Sequence, residues 1–315
     1  MSNTSETFAK VTIVGAGSVG SAAAALIAQA GIADVVLIDV AGGQARGKAL
    51  DLGQMSAITP LRTRIAGTGD YADTAGSDVI IITAGVARTS GMSHEEMVTV
   101  NTSIVCEVID QARAVSHGAL ILCVTSPLDI MTALAQRCSG LPKERVFGMG
   151  GLLDSARFAY NIAAALDVPL AEIEALVVGA HGEGMVPLVD EATVGGRPLL
   201  EVASPEQVTA IVEHTLRGGS EIAALLQTGS ASFAPSAAIA KMVGACLTES
   251  DEVISACAWV EGAYGQTGIY LNVPVRLGPE GVREIVELEI SPTERAALTA
   301  SAASLAARLD EAGLH

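Results

Sequence analysis

The chain has 315 residues, 50% of them hydrophobic but only 3% aromatic, and a formal net charge of −17 at pH 7. That length allows one large or two modest domains around an aliphatic core. The acidic balance excludes the basic face that a nucleic-acid partner requires, and it makes the few cations significant wherever they face an anionic ligand.

Residues 1–7 are polar. Beyond them, residues 10–14 predict a strand, 18–30 a helix and 35–40 a second strand. Residues 62–67 predict a third strand and 78–83, DVIIIT, a strongly apolar fourth. Residues 93–115 read as a long helix, with Ser93 as N-cap and Glu96 completing a capping box. A fifth strand over 119–125, a helix over 130–138 and a short strand over 145–147 follow. This alternation implies parallel βαβ units with right-handed crossovers. The uncharged stretch between Lys10 and Asp34 has the composition of a membrane span. Its internal order, strand then glycine turn then helix, argues against one, and no membrane association is expected.

After Gly150 the texture changes. Residues 152–166 predict a helix, and 173–178 and 185–189 predict strands. Helices are expected over 205–217, 219–226 and 235–245. Strands over 252–260, 268–277 and 281–288, joined by glycine or proline turns, suggest an antiparallel meander, and 292–312 a terminal helix. The five cysteines, Cys106, Cys123, Cys138, Cys246 and Cys257, are odd in number and form no CxxC. Neither a disulfide framework nor a metal site is expected, and a reducing cytoplasm is the simplest setting.

Gly15-Ala16-Gly17-Ser18-Val19-Gly20 is a GxGxxG motif that follows a strand and opens a helix. Gly15 permits the tight turn, Gly17 lets a pyrophosphate approach the backbone, and Gly20 lets helix and strand pack closely. The helix N-terminus at Ser18 and Val19 supplies amides and a positive dipole end. Asp39 ends the next strand, 19 residues after Gly20. A carboxylate there accepts from ribose hydroxyls and repels a 2′-phosphate. No Arg or Lys occurs from Val40 to Ala45, so NAD is expected over NADP. The alternative is a glycine turn that serves packing alone. The fold class is α/β: a Rossmann-type parallel sheet over residues 8–150, which binds NAD, plus a C-terminal α+β substrate domain over 151–315. A ligand cleft is expected between them.

Three further clusters lie at predicted strand ends or on one helix. The loop from Thr83 to His94 holds Arg88 and His94 as its only potential cations; both also read as solvated surface residues. Val124, Thr125 and Ser126 end the fifth strand, where the hydroxyls would bond a ligand or cap the turn. Asp154 and Arg157 stand i and i+3 on a helix. They form a local ion pair, or they divide labour, Asp154 orienting a histidine and Arg157 clamping a carboxylate. His181, between an apolar run and glycines in VVGAHGEGMVP, is the candidate proton-transfer residue or a packed turn histidine.

With GAGSVG, Asp39, GKALDL, ITAGVARTSGMS, VTSPLDI, LLDSARF, GAHGEGMVPL, GSASFAP and VPVRLG in this order, the chain resembles the lactate/malate dehydrogenase family over nearly its whole length. It is most similar to the malate dehydrogenases whose chain is lactate-dehydrogenase-like. Arg88 falls where malate enzymes carry an arginine for the second carboxylate and lactate enzymes typically a glutamine; Ala231 also fits the malate pattern. The resemblance implies His181 as acid–base residue, Asp154 as its carboxylate partner and Arg157 as the clamp on the substrate carboxylate. It implies Asn101 and Val124 to Ser126 around the nicotinamide half of NAD. The implied partners are a small anionic 2-hydroxy or 2-oxo acid, malate and oxaloacetate first, and further copies of the chain in a homodimer or homotetramer.

Four positions depart from the family pattern. His94 stands where the family has the loop arginine that polarises the carbonyl, and Ser126 where it has an asparagine touching substrate and cofactor. Ser90 replaces a proline and Glu183 an aspartate. Histidine is mostly neutral above pH ~6.5, whereas arginine stays charged. Weak malate turnover, a different anionic 2-hydroxy acid, or a catalytically quiet NAD-binding homologue are therefore the alternatives. A short-chain dehydrogenase does not fit, since none of Tyr71, Tyr160, Tyr264 and Tyr270 has a lysine four residues later.

Overall fold

The computed structural model describes residues 8–86, 94–182, 184–227, 229–248 and 250–314, with the side chain of residue 94 left out. The first half holds β1 (Lys10–Val14), α1 (Ser18–Ala30), β2 (Asp34–Ile38), α2 (Gly42–Met55), β3 (Ile65–Thr68) and β4 (Val79–Ile82). It continues with α3 (His94–Val115), β5 (Leu120–Cys123), α4 (Leu128–Ser139) and β6 (Val146–Gly148). The strands lie side by side in the order β3-β2-β1-β4-β5-β6, all parallel. β4 (VIII) and β5 (LILC) are buried at every residue, as strands covered by helices on both faces must be. The chain runs outward from β1 to β3, then returns to β4 and runs the other way. This reversal opens a crevice at the carboxyl ends of β1 and β4, where open α/β sheets bind ligands.

The second half begins with α5 (Gly151–Leu166), β7 (Ile173–Glu174), β8 (Val177–Ala180) and β9 (Gly184–Pro187). β10 (Thr193–Val194), β11 (Arg197–Pro198), α6 (Leu199–Val202), α7 (Pro205–Leu226) and α8 (Phe233–Leu247) follow. β12 (Ile254–Glu261), β13 (Thr267–Gly278), β14 (Gly281–Ile285) and α9 (Pro292–Glu311) complete it. The last three strands form the expected antiparallel meander. They also extend the first sheet, because Cys257 of β12 pairs antiparallel with Gly148 of β6. One sheet thus runs through both halves to β13, β8 and β9. Both α7 and α9 open with a capping box, Ser204 with Gln207 and Ser291 with Glu294, and a proline in the first turn. Among the described residues no helix is long and apolar enough to cross a membrane.

Several expectations are corrected. α2 falls where no helix was predicted. Its sequence, GGQARGKALDLGQM, is rich in glycine and buries only Ala45 and Ala49. It is held by close approach: a Cβ on Gly67 of β3 would lie 2.3 Å from the Ala45 carbonyl oxygen. The strand expected over 173–178 is two short strands in different sheets. The break expected at Gly218–Gly219 does not occur, and α7 is continuous. Cys106 and Cys138, for which no disulfide was expected, are bonded, with Cα atoms 5.6 Å apart. Their helices, α3 and α4, pack side by side and bring the two thiols face to face. The N-cap reading of Ser93 lies outside the described residues.

Candidate active site

The three motif glycines do three different things. Gly15 takes φ +111°, and a Cβ there would lie 2.6 Å from Thr83 Oγ1. A Cβ on Gly20 would lie 2.0 Å from the Gly15 carbonyl oxygen, so only glycine lets α1 sit on its turn. A Cβ on Gly17 would meet nothing within 4 Å. That open space is what a diphosphate touching the backbone requires. No side chain caps the N-terminus of α1, and its first turn carries no acidic residue, so the amides at Ser18 and Val19 keep their dipole for an anion. Asp39 closes β2 and accepts the Ala16 N–H at 2.7 Å on one oxygen and the Ala41 N–H at 2.9 Å on the other. Each oxygen has a second lone pair for a ribose hydroxyl. These residues fit the adenosine diphosphate half of NAD.

A cavity of about 700 Å³ lined by Gly15, Gly17, Asp39 and Tyr71 lies on one side of this loop. A second, of about 500 Å³, lies on the other, lined by Val19, Val124, Ser126, Arg157, His181 and Ala231. The glycine loop therefore contributes to both. Two predicted contacts point elsewhere. Thr125 is buried, and its hydroxyl donates to the Ala84 carbonyl at 2.7 Å. Asn101 is buried too: its Oδ1 accepts the Val86 N–H at 2.8 Å, and its Nδ2 donates to the Ser126 carbonyl at 2.7 Å. Asn101 thus ties the loop after β4 to the loop after β5. Arg88, Ser90, Glu183 and the side chain of His94 lie outside the described residues.

The second cavity holds a tight ionic triad. His181 follows β8 at the turn into β9, and its Nδ1 donates to Asp154 Oδ2 at 2.7 Å. Arg157 donates from Nη1 to Asp154 Oδ1 at 3.1 Å. Asp154 is 1% exposed and the His181 side chain 24%, so the carboxylate is interior while the imidazole reaches the cavity. Burial alone would lower the proton affinity of His181. The Asp154 carboxylate, in contact with the ring, and the Asp129 charge outweigh that and the repulsion of Arg157, and hold its pKa above the ordinary histidine value. Gly182, φ +91°, leaves open space beside the imidazole.

The uninterrupted α7 serves Arg157. A Cβ on Gly218 would lie 3.3 Å from Arg157 Cδ, and one on Gly219 3.6 Å from both terminal guanidinium nitrogens. The two glycines make room for the guanidinium to lie against the helix. Its Nε is buried without a hydrogen-bond partner among the described residues. Arg157 also lines the cavity, and a guanidinium there, already paired with Asp154 on one side, suits a carboxylate ligand on the other.

Four residues were missed in the sequence. Lys48 reaches back from α2 and donates from Nζ to the Ala16 carbonyl at 2.6 Å, joined by Gln44 at 3.3 Å. Only a recognised helix over 42–55 would have pointed them at the glycine loop. Asp129 accepts the backbone N–H of His181 at 2.8 Å, and Asn272 bonds Asp129 in turn at 3.0 Å. No local pattern marks these two, which meet across 143 positions.

Comparison with known proteins gives one consistent result. Residues 9–148 match the family model described as lactate/malate dehydrogenase, NAD binding domain. Residues 152–313 match lactate/malate dehydrogenase, alpha/beta C-terminal domain. A malate dehydrogenase of Methanosarcina mazei is 45% identical over 285 residues, 90% of this chain and 93% of that protein. The solved malate dehydrogenase of Salinibacter ruber superposes with a TM-score of 0.92 at 40% identity, covering 96% of this chain and 97% of that one. A Cryptosporidium parvum lactate dehydrogenase, solved with lactic acid and nicotinamide adenine dinucleotide, gives 0.91 at 37% identity, covering 95% and 96%.

Proposed function

Because the chain belongs to the lactate/malate dehydrogenase family, it is an NAD-dependent 2-hydroxy acid dehydrogenase, and we propose that it interconverts malate and oxaloacetate with His181 as acid–base residue. The observation that carries this reading is the Arg157–Asp154–His181 triad in the wall of a cavity that borders the glycine loop.

Bound NAD would supply the hydride acceptor. The residues of the chain do the rest. With Nδ1 committed to Asp154, His181 exchanges protons at Nε2. In the oxidative direction it takes the hydroxyl proton as the alcohol carbon loses its hydride. The Asp154 carboxylate fixes the tautomer and stabilises the imidazolium that results. Arg157, which lines the cavity, holds the carboxylate next to the reacting carbon. Arg88 is assigned the distal carboxylate and His94 the reacting oxygen, from the sequence pattern. Val124 and Ser126 line the cavity wall that would face the nicotinamide, with Asn101 and Thr125 holding that wall in place.

A second reading keeps the chemistry and changes the acid. It is favoured by Ser126, a short hydroxyl in the cavity wall where the family has an asparagine. A panel of 2-oxo acids with NADH decides: the highest kcat/KM on oxaloacetate supports the first reading, and a higher value on another acid supports the second.

The functional halves are assigned to residues 8–150 for the dinucleotide and 151–315 for the substrate. Assembly as a homodimer or homotetramer is supported by large apolar side chains left exposed, Ile58, Leu225 and Phe233 among them, and is read by light scattering. A cytoplasmic location loses the support of an all-thiol chain, because Cys106 and Cys138 are bonded; it rests on the family resemblance alone, and fractionation of cells expressing the protein tests it.

A further inference from the structure

Behind the reacting side chains stands a carboxylate that the chemistry above does not use. Asp129 lies in the first turn of α4 and is 4% exposed. Its Oδ2 accepts the His181 N–H at 2.8 Å and its Oδ1 accepts Asn272 Nδ2 at 3.0 Å. The Cys257 thiol of β12 lies beside it. Asn272 donates from the same nitrogen to the Gly179 carbonyl at 3.0 Å, and its Oδ1 accepts the Gly151 N–H at 2.6 Å. Asp129 and Asn272 therefore join the turn that carries His181 to the start of α5, which carries Asp154 and Arg157. A neutral acceptor would hold one backbone N–H equally well. Burial raises the Asp129 pKa, while the His181 N–H and the neighbouring cations favour its ionised form; a carboxyl kept beside an imidazole that must become charged calls for a role that uses its charge.

We propose that Asp129 is a positioning residue for proton transfer: it fixes the His181 backbone, and through Asn272 the start of α5, so that imidazole and Asp154 meet in one geometry beside a second buried negative charge. This rests on His181 being the acid–base residue. The charged and titratable groups around the pair are few. Asp154 and Arg157 of α5 face the imidazole. Cys123 of β5, Cys257 of β12 and Arg308 of α9 face Asp129. The Asp129 charge pushes the His181 pKa upward, as Asp154 does.

Asp129→Asn tests it. The amide keeps the volume but offers one acceptor oxygen, so its NH2 must face either the His181 N–H or Asn272 Nδ2, both donors. Asn272 is prevented from turning over by its bond to the Gly151 N–H. The expected result is a kcat loss of about 10–100-fold, the scale of a small misplacement of reacting groups. The NADH dissociation constant stays unchanged, and the His181 ring titrates at a lower pH by NMR. His181→Asn assigns that ring signal and tests the underlying reading separately. Full turnover in His181→Asn overturns both. A dead His181→Asn, with wild-type kcat and titration in Asp129→Asn, overturns the Asp129 proposal alone. An unmoved His181 midpoint also overturns it, because a purely structural residue would leave the midpoint in place. Should Asp129→Asn not fold, Asn272→Ser, which keeps the carboxylate but removes its tie to α5, is expected to lower kcat with NADH binding intact; unchanged kcat overturns the proposal.

Discussion

His181 and Asp154 meet at 2.7 Å although 27 residues separate them, one on the turn after β8 and the other in the first turn of α5. The contact sets a pH dependence. The His181 pKa lies above the ordinary value, so reduction of the 2-oxo acid, which needs the protonated ring, persists to higher pH than ~6.5. Oxidation needs the neutral ring and rises as reduction falls. Asp154→Asn removes the stabilising charge and should move the midpoint of the kcat/KM profile downward while lowering the rate. The stability linkage has the same sign: the raised histidine contributes fully below its unfolded pKa and loses the contribution as pH rises through the folded one. A midpoint that stays put in Asp154→Asn would show that the carboxylate does not control the proton.

Arg157 and Arg88 should separate by substrate. Arg157 lies flat against Gly218 and Gly219 with an unmet Nε–H, and lysine cannot reproduce that fork. Arg157→Lys should lower kcat/KM about 10–100-fold for every 2-oxo acid, the scale of one charge-assisted hydrogen bond. NADH affinity should be preserved. Arg88→Gln should lower kcat/KM for oxaloacetate and spare pyruvate. Steady-state kinetics on both acids reads the difference, and an equal effect of Arg88→Gln on both would remove its specificity role.

The glycine loop yields a contrast between two glycines and a lysine. Gly17→Val adds a side chain to open space, so the protein should fold normally and bind NADH at least tenfold more weakly. Gly20→Ala drives a Cβ to within 2.0 Å of the Gly15 carbonyl oxygen and should lower the melting temperature instead. Lys48→Met removes the cation that holds the Ala16 carbonyl and should weaken NADH more than adenosine, because only the former carries phosphates. Fluorescence titration with each ligand checks this. Equal weakening of both would make Lys48 a loop brace without an electrostatic part.

The residues that were legible in the sequence carry their chemistry in a local pattern. GxGxxG followed by Asp39 is read along one strand–turn–helix unit, and Asp154 and Arg157 share a helix face by spacing alone. The apolar runs of β4 and β5 are unbroken because both faces are covered. What escaped depends on contacts that the local pattern does not contain. α2 buries two alanines and survives by backbone approach to Gly67, so it shows neither a hydrophobic stripe nor a cap. Gly218 and Gly219 look like a helix break and are room for Arg157. Asp129 reads as an ordinary first-turn acid of α4 until β13 and the His181 turn close over it.

The Cys106–Cys138 bond is the remaining correction, and it has a measurable consequence. It joins α3, which carries Asn101, to α4, which carries Asp129, and its residues stand 32 positions apart. Closing a loop of that length in the unfolded chain contributes about 3–4 kcal/mol in the chain-entropy account. For a chain this long, that corresponds to a melting temperature higher by about 5 °C. Protein purified without reductant should therefore show three thiols by titration after denaturation, those of Cys123, Cys246 and Cys257. Dithiothreitol should expose two more and lower the melting point. Cys106→Ser should melt like the reduced protein and no longer respond to reductant. Five titratable thiols in the untreated protein would show that the two helices pack without the bond, and the melting point would then be indifferent to dithiothreitol.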